Sequence, residues 1–599
     1  MGVNQINLRS ALRVLVIFSI SVLLLGCGWI ITIYHYDTFL LAFTHDIYKS
    51  EIFNELLSNR KVHYCFLLLK GGIYLLIATW FFFLIRAVIY KKPLLGKWPE
   101  RWIDGAINII AKNYSFFKSL PGVVKVTLTG ILVIETLSLA YFSATLPYDY
   151  DEAFSYLFFS GVGILSSWFF YPLPNNHVLY NILSSVALHL PLPVVPATRV
   201  VSLVAAIIAT WYFFKLMTKC VGKVSAAMAT ALLVFSYPFL LYAVQARGYM
   251  LLLLCALLCV YSCVNIIGGK SRRKYYALFI LSSVAGFFTI PSFLYCFLPV
   301  TVILFLNAVR LKSYREIKST VIANLAIVMG TLALYTPIIW RNGFHALTSN
   351  NGVVARGADY IKDNIGSHLQ ETWNLLTGYL GINIYFWVLL VVLLFTSFFK
   401  RGNYNKSLYI ISGLMLASPP LIIWLHGVIP FGRTWFYLLL PMYTAVALVI
   451  SLAADNDKWA RKMQVLKPKL LLPVVLLLLT ATQLWRFEKL HKRIYGIDYV
   501  CESYNQVLKE RYYDIKSVGY GEGDFSFYLK DILLSDLKIF DKERKIPFVP
   551  LKDGDTIHHD LLILDKKTDF PVSVQDYHLM NPEDSFFKVY LKNDIYDRK

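Results

Sequence analysis

The chain has 599 residues, of which 57% are hydrophobic, and a formal net charge of +21. Apolar runs of 18 or more residues recur along most of it, which excludes a soluble globular protein and indicates a polytopic helical membrane protein. Its Lys and Arg residues lie in short clusters between the apolar runs, where they orient membrane spans, so the positive charge does not indicate a nucleic-acid partner.

The apolar runs predict about thirteen transmembrane helices, each near the ~20 residues that a bilayer requires. Pro291 lies between the two shortest runs and marks either a tight turn or a kink in one longer helix. The approximate limits of the predicted spans are 11–33, 64–89, 122–146, 195–217, 224–244, 249–267, 276–290, 293–309, 320–340, 372–399, 407–425, 434–453 and 468–487.

The distribution of Lys and Arg orients these spans. With the N-terminus in the cytoplasm, the predicted inner loops hold 25 Lys and Arg residues and the predicted outer loops hold eight. The positive-inside rule favours this register, which places the C-terminus outside. We therefore expect a multi-pass protein of the bacterial inner membrane with its C-terminal domain in the periplasm.

The chain divides into three predicted regions. Residues 1–121 form an N-terminal addition of two spans with a cytoplasmic loop, and residues 122–487 form the transmembrane core. Residues 488–599 are polar, and their short apolar runs alternate with helical periods, which predicts a small α/β domain. The expected fold class is an all-α polytopic membrane protein with that C-terminal domain. No Walker motif or dinucleotide fingerprint occurs, so nothing indicates an ATP-driven pump.

The outer loop 147–194 contains no Lys or Arg and begins with three carboxylates, Asp149, Asp151 and Glu152. Pro147 ends the span that precedes them. Two apolar and aromatic segments follow, separated by a Pro-rich break, and they predict short interfacial helices. A loop of this length with structure of its own is more often functional than not. The carboxylates alone leave two interpretations open, a helix cap with a solvated loop or a functional site at the membrane edge.

Two further outer-face segments carry arginine. The segment 245–249 holds Arg247 where one span ends and the next begins, and the segment 431–437 holds Arg433 at the start of the twelfth span. Two arginines and a carboxylate pair on one face suit an anionic phosphate substrate and a general base. Each Arg could instead anchor a helix end at the lipid head groups.

These segments, taken together, resemble the GT-C superfamily of membrane glycosyltransferases, in the branch with the protein O-mannosyltransferases and the lipid A aminoarabinose transferase. The sequence Tyr-Asp-Glu-Ala at 150–153 matches the acidic pair of that family, and Gln-Ala-Arg-Gly-Tyr at 245–249 is similar to its E-A-R-x-Y pattern. The stretches 174–180 and 431–441 resemble two further motifs of that family. The chain departs from the third motif at Asn176 and His177, where many relatives have a Lys and paired prolines. The resemblance covers about residues 122–455.

The resemblance implies an inverting glycosyltransferase that moves a sugar from a polyprenyl-phosphate donor to a hydroxyl of a glycan, lipid or protein acceptor on the periplasmic face. Asp151 would be the general base, and Glu152 would orient the acceptor or share that task. The two arginines would hold the donor phosphate, and the remaining residues would contact the donor or acceptor head groups. The implied site residues are Asp151, Glu152, Arg247, Arg433, Asn176, His177 and Tyr249.

Other interpretations of the sequence remain open. Some relatives use a divalent cation, which stays possible here although no metal-ligand spacing occurs. A transporter or flippase for a polyprenyl lipid or glycolipid is the main alternative function. Transporters usually have broken helices and paired charges at mid-membrane, whereas Glu135 is the clearest acidic residue within a predicted span. A non-catalytic assembly protein would leave the carboxylates and arginines unexplained.

Overall fold

The computed structural model describes scattered positions between residues 17 and 36, and then 60–90, 97–171, 176–269, 272–347, 354–399, 406–454, 468–502, 511, 513–521, 546–551, 557–565, 576–580 and 587–597. The chain forms two compact units, residues 1–126 and residues 127–599. Apart from isolated positions, the first predicted span, 11–33, lies outside the described residues.

The first unit contains two helices, α1 (Arg60–Tyr90) and α2 (Lys97–Lys118), and the beginning of a third. Helix α1 has an apolar stretch of 21 residues from Phe66 to Arg86. Many of its large side chains are exposed, such as Leu68 and Leu75. Exposed apolar side chains along a helix of this length are typical of a lipid-facing span.

The second unit is a helical bundle built on a run of long apolar helices. The helices from the unit boundary to the end of the bundle are α3 (Gly122–Thr145), α4 (Tyr150–Ser155), α5 (Ile164–Phe169), α6 (Val178–Ala187), α7 (Val194–Met217), α8 (Lys223–Val234), α9 (Tyr237–Val244), α10 (Tyr249–Ile267), α11 (Arg272–Thr289), α12 (Leu294–Arg310), α13 (Tyr314–Asn342), α14 (Ala358–Leu376), α15 (Tyr385–Phe399), α16 (Lys406–His426), α17 (Leu439–Ala454) and α18 (Pro468–Ile494). Short 3₁₀ turns occur at Pro291–Phe293, Phe344–Leu347 and Gly432–Leu438.

Helix α10 is the most deeply buried of the long helices and packs against α7, α11 and α12. Its sequence is apolar all round, which is the pattern of a helix enclosed by other helices. Helix α10 begins at Tyr249, directly after the segment 245–248. That segment is therefore held in place by the most buried helix of the bundle.

Eight helices of the described chain are long and apolar enough to cross a membrane, or nine if the bent pair α8–α9 is one span. This confirms the predicted polytopic helical class. Pro291 begins a 3₁₀ turn between α11 and α12, so it marks a turn between two helices.

The predicted span 372–399 is wrong as a single helix, because α14 ends at Leu376 and α15 starts at Tyr385. Between them Gly378, Tyr379 and Gly381 have positive φ, which ends an α-helix.

The predicted interfacial segments of the loop 147–194 are short helices, α4, α5 and α6, with a π-helical turn at Tyr156–Ser160 between the first two. Gly163 precedes α5 with φ of 133°, a conformation that side-chain-bearing residues rarely adopt. Residues 172–175, which contain both prolines of the predicted break, lie outside the described residues.

The C-terminal region contains the predicted sheet. Its strands are β1 (Val518–Gly521), β2 (Phe548–Leu551), β3 (Leu561–Asp565), β4 (Tyr577–Leu579) and β5 (Phe587–Lys592), followed by the short helix α19 (Asn593–Tyr596). The spatial order is β2-β1-β3-β5-β4, with β1 parallel to β2 and β3, and with β5 antiparallel to β3 and β4.

One face of this sheet packs on the loop that carries the carboxylates. Val518, Ile563 and Val589 of the sheet form a single buried cluster with Tyr148 and Ala153 of the loop. The same cluster encloses the buried residue Cys501. The C-terminal domain therefore lies at the end of the bundle that carries the loop 147–194.

Candidate active site

Helix α4 carries Asp151 and Glu152, and it begins with a reciprocal cap at Asp149. Asp149 is the N-cap, and its Oδ1 accepts a hydrogen bond from the backbone N–H of Glu152 at 2.7 Å. The backbone N–H of Asp149 donates to Glu152 Oε2 at 3.1 Å. This capping box follows from an acidic residue at the cap and Glu three residues later, and it fixes the direction in which Asp151 leaves the helix.

Glu152 is 2% exposed and forms a bidentate ion pair with Arg199 of α7. Arg199 Nε and Nη2 donate to the two carboxylate oxygens at 2.8 and 2.6 Å. Arg199 also donates to the carbonyls of Ser143, Leu146 and Pro147, so each of its five N–H groups has an acceptor. The pair therefore joins the end of α3, the start of α4 and the first turns of α7.

Sequence reasoning missed Arg199 as a site residue. Arg199 is the sixth residue of an apolar span. An Arg within a span generally has a partner, so its position could have indicated a buried ion pair. The partner, Glu152, lies 47 residues earlier in the chain, and no local pattern connects the two.

The segment between α9 and α10 is bonded directly to α4. Gln245 Nε2 donates to Asp149 Oδ2, and the backbone N–H of Ala246 donates to Glu152 Oε1 at 2.5 Å. Arg247 Nη1 donates to Ser155 Oγ at 2.5 Å, and the Arg247 side chain is 1% exposed. The predicted convergence of these two outer segments is therefore present, and their polar groups form a buried framework.

Asp151 is the carboxylate of α4 that remains accessible. Its Oδ2 lies 2.8 Å from Nη1 of Arg433, and the two side chains are 16% and 33% exposed. The Arg433 guanidinium lies over the ring of Phe431, at 4.8 Å from its centroid. The side chains of the Glu152–Arg199 pair are each 2% exposed, so the Asp151–Arg433 pair is the more accessible of the two to a substrate.

His177 and Tyr249 lie on the buried side of the Asp151–Arg433 pair. His177 Nδ1 accepts a hydrogen bond from the backbone N–H of Gly248 at 2.9 Å, so a neutral His177 carries its proton on Nε2. The rings of His177 and Tyr249 meet edge to face at 4.9 Å. Burial, and secondarily the charges of Arg247 and Arg433, lower the pKa of His177, so the imidazole is neutral at physiological pH.

Asn176 is completely buried and its amide holds the loop together. Its Nδ2 donates to the carbonyls of Ser167 and Phe170 at 3.0 and 2.8 Å, and its Oδ1 accepts from Asn181 Nδ2 at 2.8 Å. These three bonds leave little capacity for a substrate head group, and they connect α5 to the start of α6.

The buried Asp149 carboxyl makes the framework sensitive to pH. Burial, then the charges of Glu152 and Asp151, raise the pKa of Asp149 to about 7. An Asp whose pKa is higher in the native than in the unfolded state stabilises the protein fully below pH 4, and this contribution is lost as the pH rises to about 7.

We therefore expect the unfolding temperature of the detergent-solubilised protein to decrease as the pH is raised from 4.5 to 7.5. The variant Asp149→Asn keeps an N-cap side chain and removes the titration, so this part of the fall should disappear in it. An identical pH profile for the parent and the variant would show that Asp149 does not titrate in this range.

The described residues contain no group of three or more His, Cys, Asp and Glu side chains that could hold a metal ion.

No protein-family model matches the chain. No curated protein matches it either. Among solved structures, ArnT from Cupriavidus metallidurans in the apo state has a TM-score of 0.50 and 11% sequence identity, and the match covers 77% of this chain and 97% of that chain. ArnT from Cupriavidus metallidurans bound to undecaprenyl phosphate has a TM-score of 0.48 and 11% identity over the same shares. The apo match shows that the fold of this chain is similar to that of ArnT, which agrees with the resemblance drawn from the motifs.

Proposed function

We propose that the protein is an inverting glycosyltransferase that moves a sugar from a polyprenyl-phosphate donor to an acceptor hydroxyl. The observation that carries this proposal is the accessible pair of Asp151 and Arg433, 2.8 Å apart, held on a framework of buried hydrogen bonds. A carboxylate beside a cation offers a proton acceptor and a phosphate ligand in one place, which are the two groups that this reaction requires.

Asp151 acts as the general base. It takes the proton of the acceptor hydroxyl as that oxygen forms a bond to the anomeric carbon. The bond between the anomeric carbon and the donor phosphate oxygen breaks on the opposite face, and the polyprenyl phosphate leaves with the electron pair. One attack from the opposite face inverts the anomeric configuration.

Arg433 binds the phosphate of the donor and stabilises the charge that develops on it as the bond breaks. In the absence of donor, Arg433 forms an ion pair with Asp151. Binding of the donor phosphate draws the guanidinium away from the carboxylate, and Asp151 then accepts the proton of the acceptor hydroxyl.

The other predicted site residues take different roles in this proposal. Glu152 is fully occupied by Arg199 and by the Ala246 backbone, so it positions α4 and does not share the proton transfer. Arg247 is buried against Ser155 and holds the C-terminal end of α4. Asn176 holds the loop, whereas His177 and Tyr249 form the wall beside the reacting groups.

We place this chemistry on the periplasmic face of a bacterial inner membrane. The support is the excess of Lys and Arg in the loops at the other ends of the spans. The contact between the C-terminal sheet and the loop that carries Asp151 supports the same location for that domain, because the two must lie on one side of the membrane.

The proposal predicts that Arg433→Ala weakens donor binding by roughly 10- to 100-fold, since a hydrogen bond to a charged group is worth about 1.5–3 kcal/mol. Arg433→Lys should recover only part of the affinity, because the forked geometry of the guanidinium is lost. Affinity for a radiolabelled polyprenyl-phosphate sugar measures both effects. Arg310→Ala is the matched control, because Arg310 is exposed at the far end of α12. Parent-like donor binding by Arg433→Ala would show that Arg433 only anchors Asp151.

A further inference from the structure

A polar cavity lies near the reacting groups and has no role in the function proposed above. Its volume is about 300 Å³, and it is formed by α14, by residues just before that helix and by the segment 428–432. Arg356, Tyr360, His368, Glu371 and Phe431 are among the side chains that line it.

The two aromatic side chains that line the cavity are exposed, so a ligand in the cavity can contact them. Tyr360 is 47% exposed and Phe431 is 62% exposed, although both lie in structured segments. The Arg356 guanidinium lies 5.6 Å from the centroid of the Tyr360 ring. Exposed aromatic rings that line one cavity with polar side chains are a suitable arrangement for the apolar faces of sugar rings.

The polar lining supplies both donors and acceptors. His368 Nε2 accepts a hydrogen bond from Trp435 Nε1 at 2.9 Å, so a neutral His368 carries its proton on Nδ1. Burial lowers the pKa of His368, which favours that neutral form. Glu371 offers carboxylate oxygens, and Arg356 offers N–H groups.

The charge balance of the cavity favours a neutral, hydroxyl-rich ligand. Arg356 and Glu371 have opposite charges and line the same space, so the two full charges of the lining cancel. A phosphate ligand would be repelled by the carboxylate and would require an excess of cations. A hydroxyl group both donates and accepts, so it can bond to the carboxylate, the guanidinium and the imidazole.

The cavity adjoins the reacting groups through two contacts. Phe431 forms part of its wall, and Arg433 lies over that ring at 4.8 Å and reaches Asp151 at 2.8 Å. His368 also bonds to Trp435, in the 3₁₀ turn that carries Arg433. A ligand in the cavity therefore lies against the ring that contacts Arg433, the ion-pair partner of Asp151.

We propose that this cavity binds the acceptor through a glycan part, with Tyr360 and Phe431 against a sugar face and Glu371 and His368 bonded to hydroxyl groups. The inference rests on the proposed function, since it assigns the cavity to the substrate that attacks the donor. It restricts the acceptor to molecules that carry a carbohydrate.

The test uses the full-length protein in phosphatidylcholine nanodiscs with methyl glucoside, methyl galactoside, methyl mannoside and N-acetylglucosamine as probes. Saturation-transfer NMR measures binding of each probe, and a transfer assay gives its KM. Tyr360→Ala and Glu371→Gln should each raise the Kd and KM of the sugar that binds by tenfold or more, and Tyr360→Trp should restore most of the affinity. Tyr385→Ala and Glu488→Gln, at exposed sites elsewhere, should behave as the parent.

The donor side is measured in the same preparations, as the KM for the donor and as its slow hydrolysis by water without acceptor. Both should be unchanged in Tyr360→Ala and Glu371→Gln. An altered donor KM with an unchanged acceptor KM would assign the cavity to the donor and overturn the inference, as would parent-like binding of every probe by both variants. If the parent binds a probe but never consumes a donor, the cavity is supported and the glycosyltransferase function fails.

Discussion

Replacing Asp151 with Asn is expected to lower turnover by roughly 10²- to 10⁴-fold, the usual contribution of a positioned general base. The substitution keeps the size and the hydrogen bond of the side chain to Arg433 but removes the ability to accept a proton. Folding and donor binding should therefore persist. Initial rates of sugar transfer and donor affinity, measured on the same preparation, separate the two effects.

Two comparisons make this prediction specific. Asp597→Asn changes an exposed aspartate of the C-terminal domain and should leave the rate unchanged. Glu152→Gln should mainly reduce the amount of folded protein, because Glu152 is enclosed by Arg199 and the Ala246 backbone. If Asp151→Asn turns over normally and folded Glu152→Gln does not, the base is Glu152.

Replacing Arg199 with Met should destabilise the protein by about 3–5 kcal/mol, the cost of leaving one partner of a buried ion pair uncompensated. Three backbone carbonyls and the Glu152 carboxylate lose their donor at once. Arg199→Lys should recover only part of the stability, because three N–H groups cannot reach five acceptors. The unfolding midpoint in detergent measures both variants.

The double variant Arg199→Met with Glu152→Leu provides the decisive comparison for this pair. It removes the unpaired charge, and apolar replacement of a complete buried pair is often close to neutral. We expect it to be more stable than Arg199→Met alone. Arg310→Met is the matched control at an exposed site. A single variant Arg199→Met as stable as the parent would show that the pair does not hold the loop.

Much of the architecture was predictable from the sequence because two strong signals were present. Apolar runs of span length identified the membrane helices, and the short polar region at the end of the chain identified the sheet. The span 372–399 failed because hydropathy does not register the conformations of Gly378 and Tyr379. A break of a few residues within an apolar run is invisible to an average over about 20 residues.

Which of the neighbouring acids Asp151 and Glu152 is buried could not be predicted from the sequence. Consecutive residues on a helix point about 100° apart, so one side chain of the pair can be buried while the other is exposed. Which one is buried depends on Arg199, whose distant partner no local pattern reveals. The cavity near His368 was missed for the same reason, since its walls come from separate segments of the chain.

The most direct test of the central claim is turnover of the purified protein with a panel of polyprenyl-phosphate sugars in nanodiscs, with and without candidate acceptors, followed by analysis of the anomeric configuration of the product. The account predicts that one donor is consumed, that free polyprenyl phosphate is released, and that the new glycosidic bond has inverted configuration. Movement of an intact polyprenyl-linked sugar across reconstituted vesicles, with no donor cleaved under any condition, would contradict it and would favour a flippase.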